Sequence, residues 1–274
     1  MREIRILLAV LGLSAGLGAA GAHASPCPHN PDALGVARVI TLDTPQGAFL
    51  GRLQYPTTLD LGPKEIVLTF DDGPHNTNTA AILAALARHC TRAIFFTIGR
   101  KVRKYPDIFR KLDRSPHTLA AHSWSHPRNL ARLPLKDAIR EIELGFQTIE
   151  QAASRPVAPF FRFPGLNESK ALRRYTASRG LAVFSTDLSS DDWMQIGPRT
   201  IIARTIARIK RRGRGILIFH DGSAATVRAL PVILDWLSRN HYRIVHVVPK
   251  QGYRAAGEGA ALAGQRAPSA PEPR

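Results

Sequence analysis

The sequence predicts an α/β fold of about seven β-then-α units built on parallel strands. Three observations carry the prediction. From Glu65 onward, short apolar runs alternate with longer amphipathic ones. The short runs are apolar at consecutive positions, as strands covered on both faces are. The chemically suspicious polar residues each fall at the end of such a run or just after it, where an α/β barrel gathers its catalytic groups. Repeated β-then-α order implies parallel pairing. Periodicity alone leaves open a closed barrel or an open doubly wound sheet.

The elements follow in order. Arg2 and Arg5, an apolar stretch from Ile6 to Ala20 and the small-x-small run Ala22-His23-Ala24 read as a secretory signal peptide over residues 1–24, cut before Ser25. A permanent anchor is the alternative, and the Gly/Ala-rich run is short for one. Residues 25–64 read as an N-terminal arm with one strand-like piece, Val39–Leu42. An α/β domain spans 65–253. Its strands are predicted at Ile66–Phe70, Ala93–Ile98, Thr118–Ala121, Phe160–Phe163, Ala182–Thr186, Ile216–Phe219 and Arg243–Val247. Helical patterns lie between them at Thr77–Arg88, Tyr105–Leu112, Leu135–Ala153, Glu168–Arg179, Pro198–Arg211 and Thr226–Arg239. In the Leu135–Ala153 pattern, Ala138, Ile142, Leu144 or Gly145, and Ile149 mark the inner face, with Arg140 and Glu141 turned outward. Residues 254–274 are Ala/Gly/Pro-rich without periodicity and read as a disordered tail.

The net charge is +17, from 38 Lys and Arg against 21 Asp and Glu. Such an excess suits a polyanion, and export argues against nucleic acid. The densest basic run, Lys210-Arg211-Arg212-Gly213-Arg214, is explained as a helix end, where cations complement the dipole and Gly suits the cap. It is expected on the face opposite the polar clusters. Export also permits a disulfide between the two cysteines, Cys27 and Cys90; two separate thiols are the alternative, since sequence does not bring them together.

Two clusters carry most of the chemistry. Thr69-Phe70-Asp71-Asp72-Gly73-Pro74 puts adjacent carboxylates where a strand breaks into a turn. Asp, Gly and Pro are ordinary turn residues, but neighbours at a strand end point in different directions and can hold different tasks. His122-Ser123-Trp124-Ser125-His126 spaces two imidazoles four residues apart, as a metal clip requires. With a carboxylate from another strand end they form a two-His-one-carboxylate set with open positions, suited to Zn²⁺ first, and also to Co²⁺, Fe²⁺ or Ni²⁺.

These two clusters resemble the first two motifs of the polysaccharide deacetylase family (NodB-homology domain, carbohydrate esterase family 4). Phe161-Arg162-Phe163-Pro164, Asp192-Trp193 and Ile218-Phe219-His220 follow in the family's order, so the resemblance covers roughly residues 60–250. It implies a distorted (β/α) barrel. It implies Asp72, His122 and His126 as metal ligands, Asp71 as the general base and His220 as the acid that protonates the departing amine. Arg162 would orient Asp71, and Asp192 would tune His220 with Trp193 packed beside them. The backbone N–H of Gly165 would face the oxyanion. The implied substrate is an N-acetylated polysaccharide (peptidoglycan, chitin-like or poly-N-acetylglucosamine), met in the periplasm or outside the cell. There the protein has no stable membrane insertion once the signal is cut.

Three positions depart from the family pattern: Gly165 where Tyr is frequent, Ser189 where many members carry the first Asp of the fourth motif, and Pro116 before His117 where Gly is common. Asp187 or Asp191 could replace the missing carboxylate. His75 reads as a solvated loop histidine, Trp124 and Trp193 as possible sugar platforms, with Trp193 the better candidate for packing beneath the site. His29, His89, His241 and His246 have no partner legible in sequence. Two rival readings stand beside the enzyme: a non-catalytic wall-binding barrel, and an amide hydrolase of a small molecule.

Overall fold

The computed structural model describes residues 27, 28 and 30–250. The expected signal peptide and tail, and His29, lie outside them. In chain order the elements are β1 (Arg38–Leu42), β2 (Ala48–Leu50), β3 (Glu65–Gly73), α1 (Asn78–Arg88), β4 (Ile94–Thr97), α2 (Gly99–Lys104), α3 (Pro106–Asp113) and β5 (Thr118–Ala121). Then come α4 (Leu135–Ala152), β6 (Phe160–Phe161), α5 (Lys170–Ser178), β7 (Ala182–Phe184), β8 (Leu188–Ser189), α6 (Pro198–Arg212), β9 (Gly215–His220), α7 (Ala224–Arg239) and β10 (Arg243–Pro249). Short 3-10 turns follow β5, β6 and β8.

Every strand pair is parallel. β3 is the hub: β9 lies along one side from Ile66 to Asp71, while β10 and then β4 take the other. From β9 the sheet runs through β3, β4, β5, β6 and β7 to β2, with β8 added outside β9. No strand pairing among the described residues joins β2 to β8. The result is a distorted (β/α) barrel with a seam. The chain bridges that seam through Leu53 N–H donating to Thr186 O at 2.9 Å and Arg52 N–H to Asp187 Oδ1 at 2.9 Å.

Strand side chains alternate between two apolar layers, as the pleat demands. Leu68, Phe70, Phe95, Leu119, Phe161 and Phe219 face the helices. Val67, Phe96, Ala120, Phe160, Phe184 and Ile216 fill the barrel. Each fully buried Phe or Ile contributes about 1.5–3 kcal/mol of transfer free energy, so the register is strongly specified. That parity carries the site: Asp71 shares the inner parity of Val67, Arg162 that of Phe160, and His220 that of Ile216.

The 25–64 segment, expected as an arm with one strand-like piece, supplies two strands. β1 pairs along its whole length with β10, and β2 pairs with β7. Cys27 and Cys90 form a disulfide with Cα atoms 5.6 Å apart, which ties the segment to the end of α1. β2, β8 and α2 were not anticipated; at three, two and six residues they are too short to show a period. β6 stops at Phe161 rather than Phe163 because Pro164, which has no N–H to give, opens a 3-10 turn there.

Candidate active site

The paired carboxylates sit on a β-bulge. The β3–β4 register slips between Asp71 and Gly73, which leaves Asp72 as the extra residue at φ +72°. A bulge re-aims a side chain, and here it sends Asp72 toward the histidines while Asp71 keeps the inward direction. Gly73 is required next to it, because a Cβ there would lie 2.3 Å from Asp221 Oδ2. Lys101 Nζ donates to Asp72 O at 2.7 Å and braces the bulge from α2.

His122 and His126 ride on a loop held by α4. The Ser125 N–H and hydroxyl donate to the two carboxylate oxygens of Glu141, each at 2.8 Å. Trp124 N–H donates to Glu141 O at 2.8 Å. Glu141 is therefore turned toward this loop, not outward as the helical pattern suggested. Gly145 lies one turn further along α4 and lets the loop approach, since a Cβ there would meet Ser123 C at 2.6 Å. Ser123 and His126 both take positive φ, +64° and +60°, backbone strain of the kind that gathers at functional sites.

The resulting Asp72, His122 and His126 donors lie within 4.8 Å of one another. Asp72 Oδ1 is 3.3 Å from His126 Nε2 and 3.6 Å from His122 Nε2, yet it is buried without a hydrogen-bond partner. His122 Nδ1 donates to Arg162 O at 2.7 Å, which turns Nε2 toward the group. Burial, reinforced by His122, pushes His126 down to about 4, so its imidazole is neutral near pH 7. Burial works against the Asp72 charge, but His122, His126, His220 and Lys101 hold its carboxyl below the usual range. An ionised carboxylate oxygen without a donor, beside two imidazoles, fits a divalent cation.

Asp71 and Arg162 form the buried ion pair behind that group. Arg162 Nη1 donates to Asp71 Oδ1 at 2.6 Å and to Thr69 Oγ1 at 3.0 Å. Its Nε and Nη2 donate to Phe184 O and Ser185 O, and the guanidinium lies 4.3 Å from the Phe96 ring centroid. The other Asp71 oxygen is 3.8 Å from His122 Nε2. His220 Nδ1 donates to Asp192 Oδ1 at 2.7 Å, and the second Asp192 oxygen accepts from His220 N–H and Thr226 Oγ1–H at 2.7 and 2.6 Å. Burial disfavours a charged His220, but the hydrogen bond and charge of Asp192, with Asp71 and Asp72 behind it, push its pKa up to about 9.

Asp71, Asp72, His122, His126, Gly165, Trp193 and His220 line one cleft of about 680 Å³. Arg162 and Asp192 stand behind it. Trp193 is 63% exposed and forms the rim rather than packing beneath the site, because the turn after β8 carries it outward. Arg211 and Arg212 line the same cleft, against the expectation that the basic run faces away. They reach it because the cleft extends along the flank of α6 and is not confined to the strand ends. Trp124 is half-buried under the Arg103 guanidinium, 4.8 Å from its centroid, and is not among the cleft residues. Asp191 binds Arg204 and Arg208, and Asp187 accepts from Arg52, Thr58 and Ile216; neither replaces the missing motif carboxylate at His220. His75 is half-buried and hydrogen-bonded through its N–H to Thr79. His89 pairs with Asp235 and His246 with Thr118, each at 3.1 Å.

Sequence reasoning missed Glu141, Lys101 and Asp221. Asp221 is fully buried beside His220. Burial pushes its carboxyl up to about 7, and Thr79 donates to it at 2.5 Å. Its position directly after a strand-end histidine was the available signal; Glu141 and Lys101 had none.

Comparison with known proteins gives the same picture. Residues 58–184 match the polysaccharide deacetylase family model. The chitooligosaccharide deacetylase of Azorhizobium caulinodans is 31% identical over 186 residues, 67% of this chain and 86% of that protein. The peptidoglycan-N-acetylmuramic acid deacetylase PdaC of Bacillus subtilis is 32% identical over 191 residues, 69% of this chain but 39% of the longer protein. Among solved structures, a peptidoglycan deacetylase of Bdellovibrio bacteriovorus superposes with a TM-score of 0.71 at 30% identity, covering 80% of this chain and 61% of that one. Motif order, barrel and sequence identity thus agree, and the chain belongs to the polysaccharide deacetylase family.

Proposed function

We propose that this protein is a metal-dependent hydrolase that removes N-acetyl groups from an amino-sugar polymer outside the cytoplasm, releasing acetate. One observation carries the reading: the partnerless Asp72 oxygen facing two imidazoles, in a cleft shared with an arginine-held carboxylate and a carboxylate-held histidine. A divalent ion held by Asp72, His122 and His126, Zn²⁺ first among those suited, would polarise the acetyl carbonyl and acidify the attacking water.

The chain's own groups supply the rest. Arg162 pairs with Asp71 and fixes one of its oxygens, so the other is placed to take a proton from the attacking water. The Gly165 backbone N–H is the donor for the developing oxyanion. An amine leaves only when protonated, and His220 holds the proton to give because its pKa stands above neutral. Asp192 fixes the His220 tautomer and supports its charge. Trp193, exposed at the rim, offers a face on which a sugar ring can stack.

The cleft adjoins a second cavity of about 520 Å³ through Asp187 and Arg212, and this continuation beyond the reacting groups supports a polymer over a small molecule. The disulfide and the signal-like N-terminus support an oxidising, extracytoplasmic setting. The test is acetate release from N-acetylglucosamine oligomers and from peptidoglycan, after chelation and after Zn²⁺ or Co²⁺ is restored. Metal-dependent release supports the reading; a folded, metal-loaded protein that releases none from either polymer refutes it. Asp72→Ala and His126→Ala are expected to abolish metal retention, measured by elemental analysis. Asp71→Asn is expected to keep the metal and lose turnover, since an amide accepts no proton.

A further inference from the structure

The cleft carries more positive charge than its own structure uses. Each acid that lines it is already committed within the structure. Asp71 is paired with Arg162, and Asp72 faces the two histidines. Asp187 takes two backbone N–H groups and the Thr58 hydroxyl. Asp191 is shared by Arg204 and Arg208 at 3.0 and 2.6 Å. Arg128, Arg211 and Arg212 also line the cleft. All three are exposed, and their side chains make no hydrogen bond or ion pair with a described residue. Arg212 continues into the adjoining cavity, where Arg52 and Arg214 stand.

The helix dipole does not account for this placement. It is satisfied equally by Lys210, which turns away to lie 5.8 Å from the Trp236 ring centroid. The exposed cleft cations are all arginines, whose planar forks match a carboxylate through two parallel hydrogen bonds. A neutral polymer offers them hydroxyl and carbonyl acceptors but no charge to pair with.

We propose that the polymer bound in this cleft bears carboxylates, and that Arg128, Arg211 and Arg212 recognise them. The inference rests on the deacetylase reading for the amino-sugar backbone and adds the charge of the substrate and the residues that select it.

The test compares N-acetylated wall glycan chains that carry sugar-linked carboxylates with the same chains after those carboxylates are converted to neutral amides. Dissociation constants are measured by calorimetry with the exported protein. The carboxylated chain should bind about tenfold more tightly, and the preference should shrink as salt screens it. Arg211→Gln with Arg212→Gln should bring the ratio toward one. Lys136→Gln with Arg140→Gln removes the same charge from the exposed side of α4 and should leave the ratio intact. Equal binding of the two chains, or an equal fall in both double variants, overturns the proposal. Acetate release from the amidated chain without any carboxylate preference would leave the deacetylase reading standing and remove this one. Carboxylate-selective binding with no acetate from either chain would do the reverse.

Discussion

Arg162 sits at 0% exposure with every nitrogen of its guanidinium engaged, and Asp71 depends on it. Removing one member of a buried pair strands the other charge, which costs about 3–5 kcal/mol. Arg162→Leu is therefore expected to lower stability by that amount in urea unfolding and to abolish acetate release. An unchanged unfolding midpoint would show that Asp71 does not rely on the pair. His220 gives a second prediction at the same scale. A general acid works while protonated, so the rate should fall as pH rises through its pKa, placed at about 9 by Asp192. Asp192→Asn withdraws the supporting charge, so the alkaline fall in the pH–rate profile should move to lower pH. A profile that stays in place would separate His220 from the acid role.

Among the elements, α4 matters most to the site because it positions the histidine loop. Gly145 is the contact point: replacing it with Ala improves intrinsic helix propensity by about 1 kcal/mol, yet the new Cβ would collide with Ser123 backbone at 2.6 Å. Backbone that is already strained has little freedom to yield. Gly145→Ala is expected to destabilise by about 1–3 kcal/mol and to weaken metal retention together with activity. A stabilised variant with full metal content would mean that the loop moves freely over the helix. The β3 bulge plays the matching part for the carboxylates, since without its extra residue Asp71 and Asp72 would point to opposite faces of the sheet.

The barrel as a whole encloses two histidines far from the catalytic chemistry. His117 and His246 are 3% and 2% exposed. Burial, with Arg92 and Arg155 nearby, lowers them to about 3 and about 4. Unfolded histidine titrates near 6.5, so between that value and the folded ones the unfolded chain binds protons that the native chain refuses. Their contribution is present above pH 6.5 and is lost as pH falls toward 4, at about 1.4 kcal/mol per pH unit for each histidine. Denaturant unfolding across pH 7 to 4 should show this slope, and His117→Gln should flatten it. The disulfide closes a loop with a sequence separation of 63; its removal in Cys27→Ser should cost up to about 4 kcal/mol. Its place at the end of α1, away from the cleft residues, predicts little change in turnover.

Much of this molecule was determined by local sequence. The seven predicted strands were legible because each falls in a run that is apolar on both faces. The site clusters were legible because strand-end carboxylates and an i, i+4 histidine pair are patterns within a few residues of one another. Trp193 at the rim, Glu141 under the histidine loop and Arg211 and Arg212 in the cleft were not. Each depends on which way a side chain points once distant segments have packed, and helical or strand period reports a face without saying what will cover it. The pairing of Arg162 with Asp71 and of Cys27 with Cys90, 91 and 63 residues apart, waited on the same event. Sequence determined which groups the barrel would bring to its strand ends; tertiary structure decided which of them meet, because only closure of the sheet converts shared parity into contact.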